Sequence, residues 1–93
     1  MKSLVYKKNP HTAGRIIDGL AFVVTPDDNK LHTLNDTATH LWQLAANGLT
    51  TEAAADELST RYQVDRETAL RDADVCLRDL VARQILVLDR AAS

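Results

Sequence analysis

The spacing of apolar residues changes once along this chain, at Asn35, and that change governs what the chain can fold into. Before it, Ile16-Ile17 and Leu20-Ala21-Phe22-Val23-Val24 are short β-branched and aromatic runs separated by Asp18-Gly19. Asp-Gly between apolar runs is a strong hairpin signal, because a type I′ turn needs positive φ at both central positions. Pro26-Asp27-Asp28-Asn29 marks a second turn, since proline presets φ while Asp and Asn tolerate left-handed backbone. A third strand, Lys30 to Leu34, follows. The expected unit is a three-stranded antiparallel meander with Leu20, Phe22 and Val24 on one face of its middle strand.

After Asn35 the period is helical. Asn35 is a good N-cap, Asp36 favours the positive helix start, and Ala38, Leu41, Trp42 and Ala45 recur at helical spacing. Gly48 is placed to end that helix in a left-handed conformation, with Leu49 making the accompanying apolar contact. Thr50 caps a second helix whose inward side is Ala54, Ala55, Leu58 and Tyr62. Asp65 caps a third, running to about Arg83, with a stripe of Ala69, Ala73, Cys76, Leu77 and Leu80. Gln84 to Leu88 is expected to be an extended tail along the sheet edge, and the two ends are expected to fray. Strands and helices segregated along the chain define an α+β class. The expected architecture is winged-helix-like, a three-stranded antiparallel sheet followed by three helices.

Size and charge narrow the function. The 93 residues fill a single domain, 1–93, with a small core that leaves little room for a catalytic pocket. No apolar run approaches the roughly 18–20 residues of a membrane span, and the basic start lacks a signal peptide's apolar stretch. The chain is expected to be cytoplasmic, in keeping with its lone Cys76. His11, His32, His40 and Cys76 have no metal-ligand spacing, and Gly14, Gly19 and Gly48 are too scattered for a phosphate loop. Cys76 lies in an apolar stripe, where a thiol acts as a small hydrophobe. Glu67, Asp72, Asp74 and Asp79 alternate with Arg66, Arg71, Arg78 and Arg83 as a solvated, ion-paired helix face. No catalytic residue, cofactor or metal is expected, and the chain is not expected to be an enzyme.

The net charge of −2 conceals an asymmetry. Residues 1–34 carry five Lys/Arg and three Asp, a net of +2, whereas residues 35–93 carry six Arg and ten Asp/Glu, a net of −4. Helical triads of this kind can read a DNA groove, and a winged-helix DNA-binding or transcription-related module is the alternative function. Its recognition helix would be Arg66 to Arg83, whose acids balance its arginines, a poor phosphate partner. No nucleic acid or membrane partner is expected. A small meander also offers strand edges to which an extended peptide can add.

The stretch from Asn29 to Leu44 resembles a signature of the PqqD family, small proteins named for pyrroloquinoline quinone synthesis protein D. Leu34, Asn35, Thr37, Ala38, Trp42 and Leu44 match it, with Leu41 in place of isoleucine. Arg15 to Leu20 is similar to the family's opening hairpin, Gly48-Leu49-Thr50 to its helix junction, and Asp72-Ala73 with Leu77 and Leu80 to its third helix. Gln84-Ile85-Leu86 departs by lacking a glycine, which implies a different helix exit. The likeness covers about residues 12–88. It implies a RiPP recognition element, a peptide chaperone without catalysis of its own, which holds the leader segment of a ribosomally made precursor for a modifying enzyme such as a radical SAM protein. The leader would add beside Lys30, Leu31, His32, Thr33 and Leu34, in a groove flanked by Asp72, Cys76 and Asp79 of the third helix. Leu70 and Val81 form a second flank that could line the groove instead. Precursor, product, and monomer or homodimer are left open.

Overall fold

The computed structural model describes residues 4–90. The elements run β1 (Leu4–Lys8), β2 (Ala13–Ile17), β3 (Leu20–Thr25), β4 (Lys30–Thr33), α1 (Asp36–Leu44), a 3-10 turn (Ala45–Asn47), α2 (Thr51–Tyr62), α3 (Arg66–Ala82) and β5 (Leu86–Arg90). Strands β2, β3 and β4 form the expected antiparallel meander, with β3 in the middle. Asp18 and Gly19 both take positive φ, 52° and 81°, as a type I′ turn requires.

The helix boundaries follow local chemistry. The Asn35 side chain accepts from the Ala38 amide, and the Thr50 hydroxyl accepts from the Ala53 amide, so α1 and α2 each start on a side-chain cap. Asp65 precedes α3 without a capping side-chain bond. Gly48 takes φ 90°, and a Cβ there would sit 3.0 Å from Val5 Cγ1. The core gathers Leu41, Trp42 and Ala45 of the first helical stretch, Ala54, Ala55 and Leu58 of α2, and Ala69, Ala73, Leu77 and Leu80 of α3.

Four expectations need correction. The start of the chain does not fray from Leu4 onward: β1 pairs antiparallel with β5, Tyr6 opposite Leu88, and the Tyr6 side chain is buried. Tyr6 also exchanges both backbone hydrogen bonds with Leu49, tying β1 to the junction of α1 and α2. The C-terminal segment therefore completes this separate two-stranded sheet rather than lying along the meander. Residues 1–3 and 91–93, also expected to fray, lie outside the described residues. Tyr62 is 39% exposed, not inward, because its hydroxyl reaches the Asp36 carboxylate at the start of α1. On β3, Leu20, Phe22 and Val24 share one face as expected; it is the face away from the helices, while Ala21, Val23 and Thr25 are buried on the other.

The fourth correction concerns the exit from α3. Gln84 takes φ 64°, the left-handed conformation glycine adopts most easily. The Ile85 amide bonds the Leu80 carbonyl and the Gln84 amide bonds the Val81 carbonyl, a Schellman motif closed by buried Ile85 and Leu80. The exit is thus the one a glycine would make, built with glutamine. Left-handed backbone costs an L-residue about 1–2 kcal/mol, while glycine's extra unfolded-state freedom costs about 0.5–1 kcal/mol. Gln84→Gly should therefore raise stability by up to about 1 kcal/mol, a Tm increase of several degrees. Urea unfolding of the two proteins checks it, and a lower midpoint for the glycine variant would refute it.

Candidate peptide groove

Strand β4 has β3 on one side and, among the described residues, no strand on the other. Which of its backbone groups face the open side follows from register. The Leu34 amide bonds the Ala21 carbonyl at 2.9 Å. Hydrogen-bonded and non-bonded pairs alternate along an antiparallel ladder, so with Val23 opposite His32 and Thr25 opposite Lys30, His32 and Lys30 are the next residues bonded inward. The N–H and C=O groups of Leu31 and Thr33 consequently point to the open edge.

Alongside that edge runs a cleft of about 550 Å³ between the start of α1 and α3, lined by Asn35, Thr37, Ala38, Arg71, Asp72, Val75, Cys76 and Asp79. A smaller extension of about 140 Å³, lined by Thr33, Leu34, Asn35, Ala38, Asp79 and Arg83, joins it to β4. The expected residues fall into three groups here. Asp72, Cys76, Asp79 and Thr33 share this continuous groove. Leu34 reaches it only as wall: its side chain is 2% exposed, its amide is used by Ala21, and its carbonyl accepts from the Thr39 hydroxyl. Lys30 is exposed at the strand's start, His32 lies beside the buried Thr25 hydroxyl (3.0 Å), and Leu31 projects onto the other face of the sheet.

The groove uses the Asp72–Cys76–Asp79 flank of α3. Leu70 and Val81 are partly buried against the core instead. Sequence reasoning missed Asn35, Thr37, Ala38, Arg71, Val75 and Arg83. Val75 was the findable one: a valine one position from the core stripe, 63% exposed, on a helix otherwise polar outside.

Charge around the groove is mixed, with the acids better placed. Arg83 Nε lies 3.1 Å from Asp79, while Asp72 makes no ion pair among the described residues. Arg66 pairs with Asp56 on α2 and Arg78 with Asp74, so with Arg83 three of the four arginines of the would-be recognition helix are occupied by carboxylates. Burial, with the Asp79 charge adding to it, pushes the Cys76 thiol from 9.0 up to about 11. Cys76 is therefore a neutral, poorly nucleophilic part of the groove wall near pH 7. Its alkylation by iodoacetamide, followed by mass spectrometry, should keep accelerating through pH 10 rather than levelling near pH 9. The folded chain holds this proton more tightly than the unfolded one. The associated stability is complete below pH 9 and is lost as pH rises towards 11.

An open strand edge beside a half-apolar helical groove, on a winged-helix-like frame, defines a module built to hold an extended chain. The sequence profile of the family described as Coenzyme PQQ synthesis protein D (PqqD) matches residues 21–86, from β3 to the start of β5, and the chain belongs to that family. Its fold is similar to a structure of TbiB1 in complex with the TbiA(beta) leader peptide, with a TM-score of 0.79 and 25% identity, covering 86% of this chain and 93% of that one. It is also similar to a lasso peptide synthetase B1 complexed with the leader peptide, with a TM-score of 0.77 and 22% identity, covering 88% and 96%. Among curated proteins none matches in sequence. No helix among the described residues is long and apolar enough to cross a membrane.

Proposed function

We propose that this chain binds the leader segment of a ribosomally made precursor peptide as an added strand on β4 and presents it to a separate modifying enzyme, such as a radical SAM protein, without catalysis of its own. The observation that carries this reading is the open edge of β4, which meets the groove beside α3 at Thr33. Backbone pairing supplies affinity with little demand on sequence, and pockets between strand and helix supply choice through alternate side chains. Both structural neighbours named above were captured with leader peptides, which supports carrying the same ligand class to this member of the family. The unpaired Asp72 lines the part of the groove away from Thr33, and favours a basic residue in the leader outside the segment paired with Lys30–Thr33. A held leader also keeps the segment to be modified at high effective concentration near the enzyme.

The test is a titration of fluorescently labelled leader peptides from candidate precursors in neighbouring genes, followed by anisotropy with and without a candidate modifying enzyme. Saturable binding by this protein alone or with the enzyme is expected. Flat curves in both cases would sink the reading.

A further inference from the structure

The β4 edge has a second face. Leu31 pairs with Val24 and Thr33 with Phe22. Directly paired residues share a face of the sheet, so all four side chains stand on the surface away from the helices. There Ile17, Phe22, Val24 and Leu31 line a shallow, mostly apolar concavity of about 470 Å³. Leu31, 64% exposed, forms its rim at the open edge. On the other side of the same edge is the groove, where Ala38, Val75 and Cys76 stand among the polar side chains of Asn35, Asp79 and Arg83.

A strand added to β4 continues the pleat, sending successive side chains alternately into the groove and onto the outer face. Apolar side chains are available on both sides, as a continuous strip on the outer face and as Ala38, Val75 and Cys76 within the groove. Resting on the leader-binding reading above, we infer that the segment held at this edge is apolar at consecutive positions, not at every second one, over the four residues that face Lys30–Thr33. Strands covered on both faces carry such continuous runs, whereas strands with one wet face alternate. The outward residues of the ligand extend the strip Ile17–Phe22–Val24–Leu31 by one more strand, and Leu31 is the specificity-determining contact for them. A purely groove-directed ligand would leave Leu31 unused and would accept any polar residue at the outward positions.

Selection of random phage-displayed peptides on the wild-type protein and on Leu31→Asp tests this, because an exposed edge residue can change without loss of the fold. On the wild type, enriched peptides should carry runs of about four consecutive apolar residues. On Leu31→Asp, the outward positions of the run should turn polar or basic while the groove positions stay apolar. A peptide selected on the wild type should bind the variant roughly tenfold more weakly, the equivalent of losing contact with one partly covered leucine. Alternating apolar–polar peptides enriched equally on both proteins would overturn the inference and leave strand addition standing. Selected peptides whose binding ignores Thr33→Pro would overturn strand addition itself.

Discussion

Thr33→Pro should weaken leader binding by about 1–3 kcal/mol, roughly fivefold to 150-fold, while leaving the fold intact. The Thr33 amide makes no bond to β3, because the ladder that runs through Leu34 and Ala21 assigns it to the open edge. Proline is tolerated on an edge strand when the missing N–H faces outward, so circular dichroism and urea unfolding should change little. A bound leader, in contrast, loses a donor for one of its carbonyls and meets the ring where that carbonyl would sit. Thr33→Ala, which keeps the amide, should bind almost as well as the wild type. Equal loss in both variants would mean that the threonine side chain, not the backbone edge, is what the ligand uses. Unchanged affinity in a folded Thr33→Pro protein would place the ligand elsewhere.

The largest effect on stability is expected at Trp42. Its indole is 6% exposed, packs against Gly14 so closely that a Cβ there would lie 2.6 Å from Cζ2, and carries Lys8 Nζ 3.6 Å above the ring. Burial lowers the Lys8 ammonium pKa, so this cation sits over the ring partly stripped of water. Trp42→Ala should cost about 3–5 kcal/mol, much of what a domain of this size has. The indole Nε1 is buried with no acceptor among the described residues. A group that is already unsatisfied is not missed, so Trp42→Phe should cost well under half as much. Urea unfolding followed by far-ultraviolet circular dichroism compares all three proteins, since both variants lose the only tryptophan. Equal losses in the two variants would show that the Nε1–H, rather than the ring volume, holds this corner together.

What was legible in the sequence is what local chemistry decides. Asp18-Gly19 dictates its own turn, Asn35 and Thr50 cap the helices that follow them, and the stripe from Ala69 to Leu80 names the buried side of α3. What was not legible depends on residues distant in the chain. Leu4-Val5-Tyr6 looks like a frayed start because lysines flank it, and only its pairing with Leu86–Arg90 makes it a strand. Tyr62 keeps helical spacing with Leu58, yet it lies in the last turn of α2, where the Asp36 side chain draws it outward. At Gln84 the missing glycine pointed to a new helix exit, but the Leu80–Ile85 contact and its backbone bonds impose the left-handed turn on whatever residue stands there.

The site divides the same way. Asp72, Cys76 and Asp79 were placed by resemblance, and the fold puts them together in one groove with Thr33. The five-residue strand taken as Lys30 to Leu34 is less uniform than a sequence can tell. Leu34 belongs to the core, and Leu31 serves the far face of the sheet. Alternation along a strand is visible only once register is known, because a shift of one residue would exchange the two faces.

Amide hydrogen exchange, read residue by residue by NMR with and without the leader peptide, tests the central claim most directly. In the free protein the His32 amide should already be protected by β3, while the Leu31 and Thr33 amides exchange rapidly at the open edge. Saturating peptide should slow exchange at Leu31 and Thr33 and shift the resonances of Asp72, Val75, Cys76 and Asp79. Saturable binding that leaves Leu31 and Thr33 exchanging as fast as before would contradict strand addition at β4.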